Sequence, residues 1–350
     1  MDKRIRYLDG LRAISIIMVL IGHGGHSINI PKWIGFFLGS SHLGVMIFFN
    51  ISGFLITTLL LKELSTNGKI SLTSFYKRRM LRIFPVFYSY LIIIGLLAYF
   101  HYLDMDKHFF VFASIHLWNY MEAIRSFESG IDYWYLGHLW TLALEEQFYF
   151  LWPILLYLFN AKKMTKILPF VLFIFPFIRF SSYFIFPNLR GQIGMMLHTM
   201  GDSILWGSYA AMLVHFDKEF VIEKIKKLQK SGILFLLFLF VYIFSSILGD
   251  LYQGSYSITI GFSLESISIS ILILYLTQLK PIQFGFLNNR YLVYIGKLSY
   301  SLYIWQQLFL APLGNSVHFN FPFNFILCIA AAFISFNTIE RLGLYIKSKL

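Results

Sequence analysis

Ten apolar runs of about 20 residues dominate this chain, each long enough to cross the ~30 Å hydrocarbon core of a bilayer as a helix. They fall near 10–29, 42–62, 83–103, 137–159, 166–186, 195–215, 231–249, 256–278, 291–312 and 323–344. Hydrocarbon offers no partner to a backbone N–H or C=O, so spans of this kind satisfy their own amides as helices. The composition agrees. Charged residues make up 13% of the chain and hydrophobic residues 57%, whereas a soluble domain carries about 25% charge. The expected fold is all-α: one polytopic integral membrane domain over 1–350, with about ten transmembrane helices and no appended soluble domain or internal repeat. The apolar stretch 108–118 is too short to span and reads as interfacial or re-entrant.

A formal charge of +12 would suggest nucleic acid in a soluble protein. Here the basic residues sit in short loops between spans, as topology signals at an anionic lipid surface do. With the N-terminus inside, 22 of the 29 lysines and arginines fall on the cytoplasmic side, and only Lys32, Lys107, Arg125 and Arg190 on the other. Both termini are therefore expected in the cytoplasm. The opening segment imitates a secretory signal, but it lacks a small-x-small cleavage site and carries Arg12 and His23, so it reads as a retained first helix. The one cysteine, Cys328, lies in an apolar run and reads as packing. A lone thiol excludes thiolate-ligated metal sites.

An ionisable group within a span costs roughly 2.5–3.5 kcal/mol on insertion scales, so each needs a reason. Arg12 and His23 are eleven positions apart, within about 20° of whole helical turns and roughly 16 Å along the axis. They share one face of the first helix. A snorkelling Arg and a core His would look the same. In the fourth span, Glu145 and Glu146 point about 100° apart, so at most one can face a given partner. Glu145 and His23 lie at similar depth, as an imidazole general base supported by a carboxylate requires. Arg79 and Arg82, beside Lys77 and Arg78, share a helix face at the inner surface. They are a topology anchor or a clamp for a phosphorylated cytosolic ligand, since guanidinium binds phosphate bidentately. Asn50, Ser52 and Gly53 would allow close helix packing or the passage of a thin chain.

Taken in order, these segments resemble membrane-bound acyltransferase family 3. RYLDGLRAISIIMVLIGHG is similar to its first-helix motif, with Arg12 and His23; FFNISGFLIT to its second-helix signature; FYKRRMLRIFPVFY to its Arg-x-x-Arg element. LWTLALEEQFYFLWP is similar to its Glu-x-x-Phe-Tyr motif, which selects Glu145. IGKLSYSLYIWQQ resembles its late Ser-Tyr-Ser-Leu-Tyr element, and the close at Ile339, Glu340 and Arg341 fits. The resemblance covers nearly the whole chain. It implies a multi-pass protein of a bacterial-type inner membrane that moves an acyl group, acetyl above all, from acyl-CoA to a hydroxyl of a saccharide or lipid-linked saccharide. It implies His23, Glu145 and Arg12 as catalytic residues, and Arg79, Arg82, Arg12, Ser52 and Gly53 at the acyl-CoA. Tyr149, Trp140, Asp202, Trp305 and Gln306 are then the candidate acceptor contacts, with no metal. Two positions depart from the family's habit. Gln306 follows Trp305 where a His is common, and Met200 stands where an Arg often precedes the equivalent of Asp202.

Three rivals share these features. A transporter or flippase of a lipid-linked saccharide would also carry intramembrane charges, but the chain lacks paired repeat halves. A metal enzyme might be built on His23, His26 and His138, yet no compact carboxylate set completes a shell. A partner subunit could keep the fold without catalysis.

Overall fold

The computed structural model describes residues 5–28, 40–121, 132–252, 254–347 and 349. Lys3, Arg4, Lys32 and Arg125, counted above as loop charges, lie outside these residues. The described residues contain helices and connecting turns, with no strand. In chain order the principal helices are α1 (Arg6–Gly24), α2 (Ser41–Asn67), α3 (Leu72–Tyr99), α4 (Lys107–Ser114), α5 (Leu139–Leu158), α6 (Ala161–Ile185), α7 (Asp202–Phe216), α8 (Lys218–Lys230), α9 (Ile233–Leu239), α10 (Phe262–Gln278), α11 (Arg290–Phe309) and α12 (Phe323–Ser335). Several start where a short polar side chain closes an open amide. Ser71 accepts from Ser74 N, Asn160 from Lys163 N, and Asp217 from Phe220 N.

The expected spans are largely helical where described, but among the described residues six runs are both long and apolar enough to cross a membrane: Arg6–Ser27, Ser41–Asn67, Leu72–Tyr99, Ala161–Ile185, Ser257–Gln278 and Phe323–Lys347. Three of the other four differ for physical reasons. α5 carries Glu145, Glu146 and Gln147 in its middle, and α11 carries Arg290, Lys297, Gln306 and Gln307. The 195–215 run divides at Gly201 into a four-residue turn of helix and α7, which has only 15 residues. The 231–249 run contains a π-helical stretch at Phe240–Phe244, which does not itself set it apart, since two of the six contain one as well. The 108–118 stretch forms the eight-residue α4, capped by Asp106, whose carboxylate accepts from His108 N at 2.8 Å.

The chain divides into two compact units. One comprises Met1–Leu11, Met46–Ile70 and Leu144–Asn289; the other comprises Arg12–Val45, Ser71–Ala143 and Arg290–Leu350. In the first, α2 and α7 cross backbone to backbone. A Cβ at Gly53 would lie 1.9 Å from the Ile204 carbonyl oxygen, and one at Gly207 would lie 2.0 Å from that of Asn50. This is the small-residue contact through which membrane helices associate. Asn50 is fully buried there, donating to Met46 O and accepting from Ser270.

In the second unit, α11 packs along α12, and the 341–347 helix packs against α3. Tyr300 donates to Ile83 O at 2.7 Å, and Ser301 donates to Glu340 at 2.8 Å. Asp132 ties the connections after α3 and after α11 together, accepting from Asp104 N, Ser316 N and Ser316 Oγ.

Candidate active site

His23 lies in the last turn of α1, and α11 faces it in the second unit. Its Nδ1 is 2.8 Å from Oε1 of Gln306. An amide oxygen only accepts, so Nδ1 carries the proton and Nε2 is left as the basic nitrogen. The Trp134 ring meets the imidazole edge-on, 5.6 Å between centroids. Trp134 is fixed in turn, its Nε1 donating to Gln307 O at 2.9 Å.

The surroundings are buried and polar. Trp305, Gln306, Gln307 and His138 are buried, and Gln306 is completely inaccessible. Besides both ring nitrogens of His138, three polar atoms here have no hydrogen-bond partner: Trp305 Nε1, Gln306 Nε2 and Gln307 Oε1. Buried polar groups are ordinarily satisfied, so two open donors and an open acceptor beside a basic nitrogen are what a bound polar molecule would complete. Aromatic packing fixes the wall behind them. Tyr90 contacts both His138 and Trp305 edge-on, and Tyr90 itself donates to Tyr135 O at 2.6 Å. The Tyr303 and Thr141 hydroxyls are 2.6 Å apart, and both lie within hydrogen-bond reach of the His138 carbonyl, so one donates to the other and the second to that carbonyl.

Arg12 is half-buried, lower on the same helix. Arg79 and Arg82 are also half-buried, on α3. Lys347 joins them, since the charges of Arg82, Arg79 and Arg78 all act on its ammonium. Four cationic side chains gathered at one place make a region to which an anion would be attracted.

The remaining expected residues belong to the first unit, apart from Trp140, which is half-buried at the start of α5 in the second. Glu145 accepts a 2.7 Å hydrogen bond from the buried Ser52. Tyr149 is buried, and Gly53 is the helix-crossing contact described above. Asp202 is fully buried, with Oδ1 accepting from Arg179 Nη1 at 2.8 Å and Oδ2 from Ser263 at 2.5 Å. The guanidinium expected two positions before Asp202 thus arrives from α6 instead. Arg179 also donates to Ile258 O, Thr199 O and Ser263, which makes this a closed structural node.

Sequence reasoning missed Trp134, Gln307 and Tyr303 at the His23 cluster, and counted Lys347 only as a topology charge. The adjacent amides of Gln306 and Gln307 in an otherwise apolar helix were the available signal.

A half-buried imidazole with one fixed nitrogen, beside open buried polar atoms on an all-helical scaffold with several helices long and apolar enough to cross a membrane, is the candidate site. The chain belongs to the acyltransferase domain family, whose profile matches residues 5–339. Among curated relatives, a Staphylococcus aureus strain COL protein carrying a provisional O-acetyltransferase name is 32% identical over 322 residues, 87% of this chain and 51% of that one. The O-acetyltransferase OatA of Staphylococcus aureus strain NCTC 8325 is 30% identical over 317 residues, 85% of this chain and 49% of that one. The chain therefore spans about half the length of the curated relatives it matches. No solved structure matches it.

Proposed function

We propose that this chain is an O-acyltransferase, moving an acyl group, most simply acetyl, from cytosolic acyl-CoA to a hydroxyl of a cell-envelope or exported carbohydrate. The observation that carries the reading is His23, held through Nδ1 by Gln306 with Nε2 free among unsatisfied buried donors. Family membership and relatives named as O-acetyltransferases support it.

In the proposed reaction, His23 Nε2 accepts the proton of the acceptor hydroxyl as its oxygen attacks the thioester carbonyl. The C–S bond breaks, the CoA thiolate leaves, and the imidazolium returns the proton to sulfur. Trp305 Nε1 and Gln306 Nε2 are the donors available to the oxyanion that forms between these steps. Arg79, Arg82 and Lys347 hold the CoA phosphates, and Arg12 assists on the His23 face. Glu145 is bonded to Ser52, and the Nδ1 that a supporting carboxylate would hold is taken by Gln306.

The same reading takes ten spans in an inner membrane with both ends cytoplasmic, which puts the arginine cluster on the donor's side. The test is CoA release and acyl-ester formation by purified protein, with surface carbohydrate examined by mass spectrometry. His23→Ala should lower turnover by about 10²–10⁴, the usual worth of a general base. Full activity at equal expression would end the proposal.

A further inference from the structure

The first unit contains a cavity of about 440 Å³ that the acyl-transfer reading does not use. It lies between α9 and α10, walled by Leu234, Leu237, Ile269 and Leu272 and reaching Ile47 of α2. Along α10 its lining runs from Ser268 to Tyr275, about 10 Å at 1.5 Å per residue. At one end the Ser268 hydroxyl is spent on Leu264 O, and most of the polarity lies at the other. Gln229 and Gly232 at the α8–α9 turn, with Gln283 beyond the end of α10, complete the lining there, and Gln283 donates to the Tyr275 hydroxyl at 2.5 Å. The space is an apolar slot with an amide-bearing mouth, within the size range of ligand sites.

The helix at that mouth is α8, which packs against both α9 and α10. Its Val221 and Ile225 are buried, while Lys226, Lys227 and Lys230 are exposed. Lys226 stands one turn before Gln229, and Lys230 directly follows it. The acidic residues, Glu219 and Glu223, occupy the first half of α8, so the end nearest the slot is wholly basic. A helix with buried apolar residues and lysines at its exposed face is built for an anionic lipid surface.

We propose that the slot takes one acyl chain of an anionic phospholipid, with the lipid phosphate seated on Lys226, Lys227 and Lys230. The inference requires only that the chain lies in a bilayer and is independent of acyl transfer. The apolar depth selects a hydrocarbon chain, and the charge at the mouth selects a negative headgroup.

The experiment uses the full chain, delipidated in non-ionic detergent and exposed to phosphatidylglycerol bearing a photoreactive tail, with phosphatidylcholine of the same tail as comparison. Cross-linked peptides are mapped by mass spectrometry. Phosphatidylglycerol should label the segments 234–237 and 268–275 several-fold more than phosphatidylcholine. Leu272→Trp, which fills the slot, should abolish that labelling. A Lys226→Gln, Lys227→Gln, Lys230→Gln triple variant alters only exposed side chains and should reduce phosphatidylglycerol labelling to the phosphatidylcholine level. Equal labelling by the two lipids, or headgroup preference that survives in the triple variant, would overturn the proposal. So would displacement of the lipid by long-chain acyl-CoA but not by unlabelled phosphatidylglycerol, because the slot would then belong to the acyl donor.

Discussion

Gln306 gains the most from the structure of any single residue. As a sequence position it is a departure, an amide where a histidine is common. In the fold it is the completely buried partner of His23, fixing the proton on Nδ1 and presenting Nε2. A hydrogen bond to a buried group is worth about 1–3 kcal/mol when its loss strands the partner, roughly ten- to a hundredfold in rate. Gln306→Leu should therefore lower turnover by that factor with expression unchanged, and Gln306→Asn should recover only part of it, because the shorter amide cannot span 2.8 Å from the same backbone. The measurement is steady-state turnover of acyl-CoA by the purified variants. Glu145 shows the converse. Its depth in the bilayer could be counted from the sequence, but its hydrogen bond to Ser52 joins α5 to α2, and no spacing within one helix foretells a partner on another.

At the scale of elements, the helices were legible because each needs only a run of apolar residues. Those that fall short as spans show features local to them, such as the acidic centre of α5 and the division at Gly201 before α7. What holds elements together was legible only in part. The small residues of α2 signalled a close crossing, and Gly53 makes one against α7. The Arg179–Asp202 node was not legible, since its members come from α6, α7 and α10. Removing one partner of a buried pair leaves an uncompensated charge at a cost of about 3–5 kcal/mol. Arg179→Met should lower thermal stability accordingly, and the Arg179→Met, Asp202→Leu double variant should regain much of the loss; thermal unfolding in detergent measures both. His116, in the turn after α4, stacks on Phe87 and Phe84. Burial lowers its pKa to about 4, below the ordinary value near 6.5. The unfolded chain then binds more protons between those values, so stability falls as pH drops from about 6.5 to 4 and levels off below. His116→Asn, which tolerates the positive φ at this position, should flatten that acid limb in unfolding scans across pH.

For the whole molecule, the apolar runs predict ten crossings and the lysines and arginines their orientation, while among the described residues six helices are long and apolar enough to cross. Part of the difference lies in α5 and α11, where polar and charged side chains lower the apolarity by which a span is recognised. Single cysteines introduced at Lys69 and Lys107, in a background with Cys328→Ala, should label from opposite faces of intact vesicles. Labelling of both from one side would remove the ten-span arrangement and, with it, the cytosolic placement of Arg79, Arg82 and Lys347.

The central claim, that His23 and Gln306 act as one unit in acyl transfer, is tested most directly by a double-mutant cycle on acyl-CoA turnover with His23→Asn, Gln306→Leu and the pair. If Gln306 works by holding His23, the double variant should be no slower than His23→Asn alone, since the second change removes a support for a base already gone. Losses that simply multiply would contradict the account and show that the two residues contribute independently.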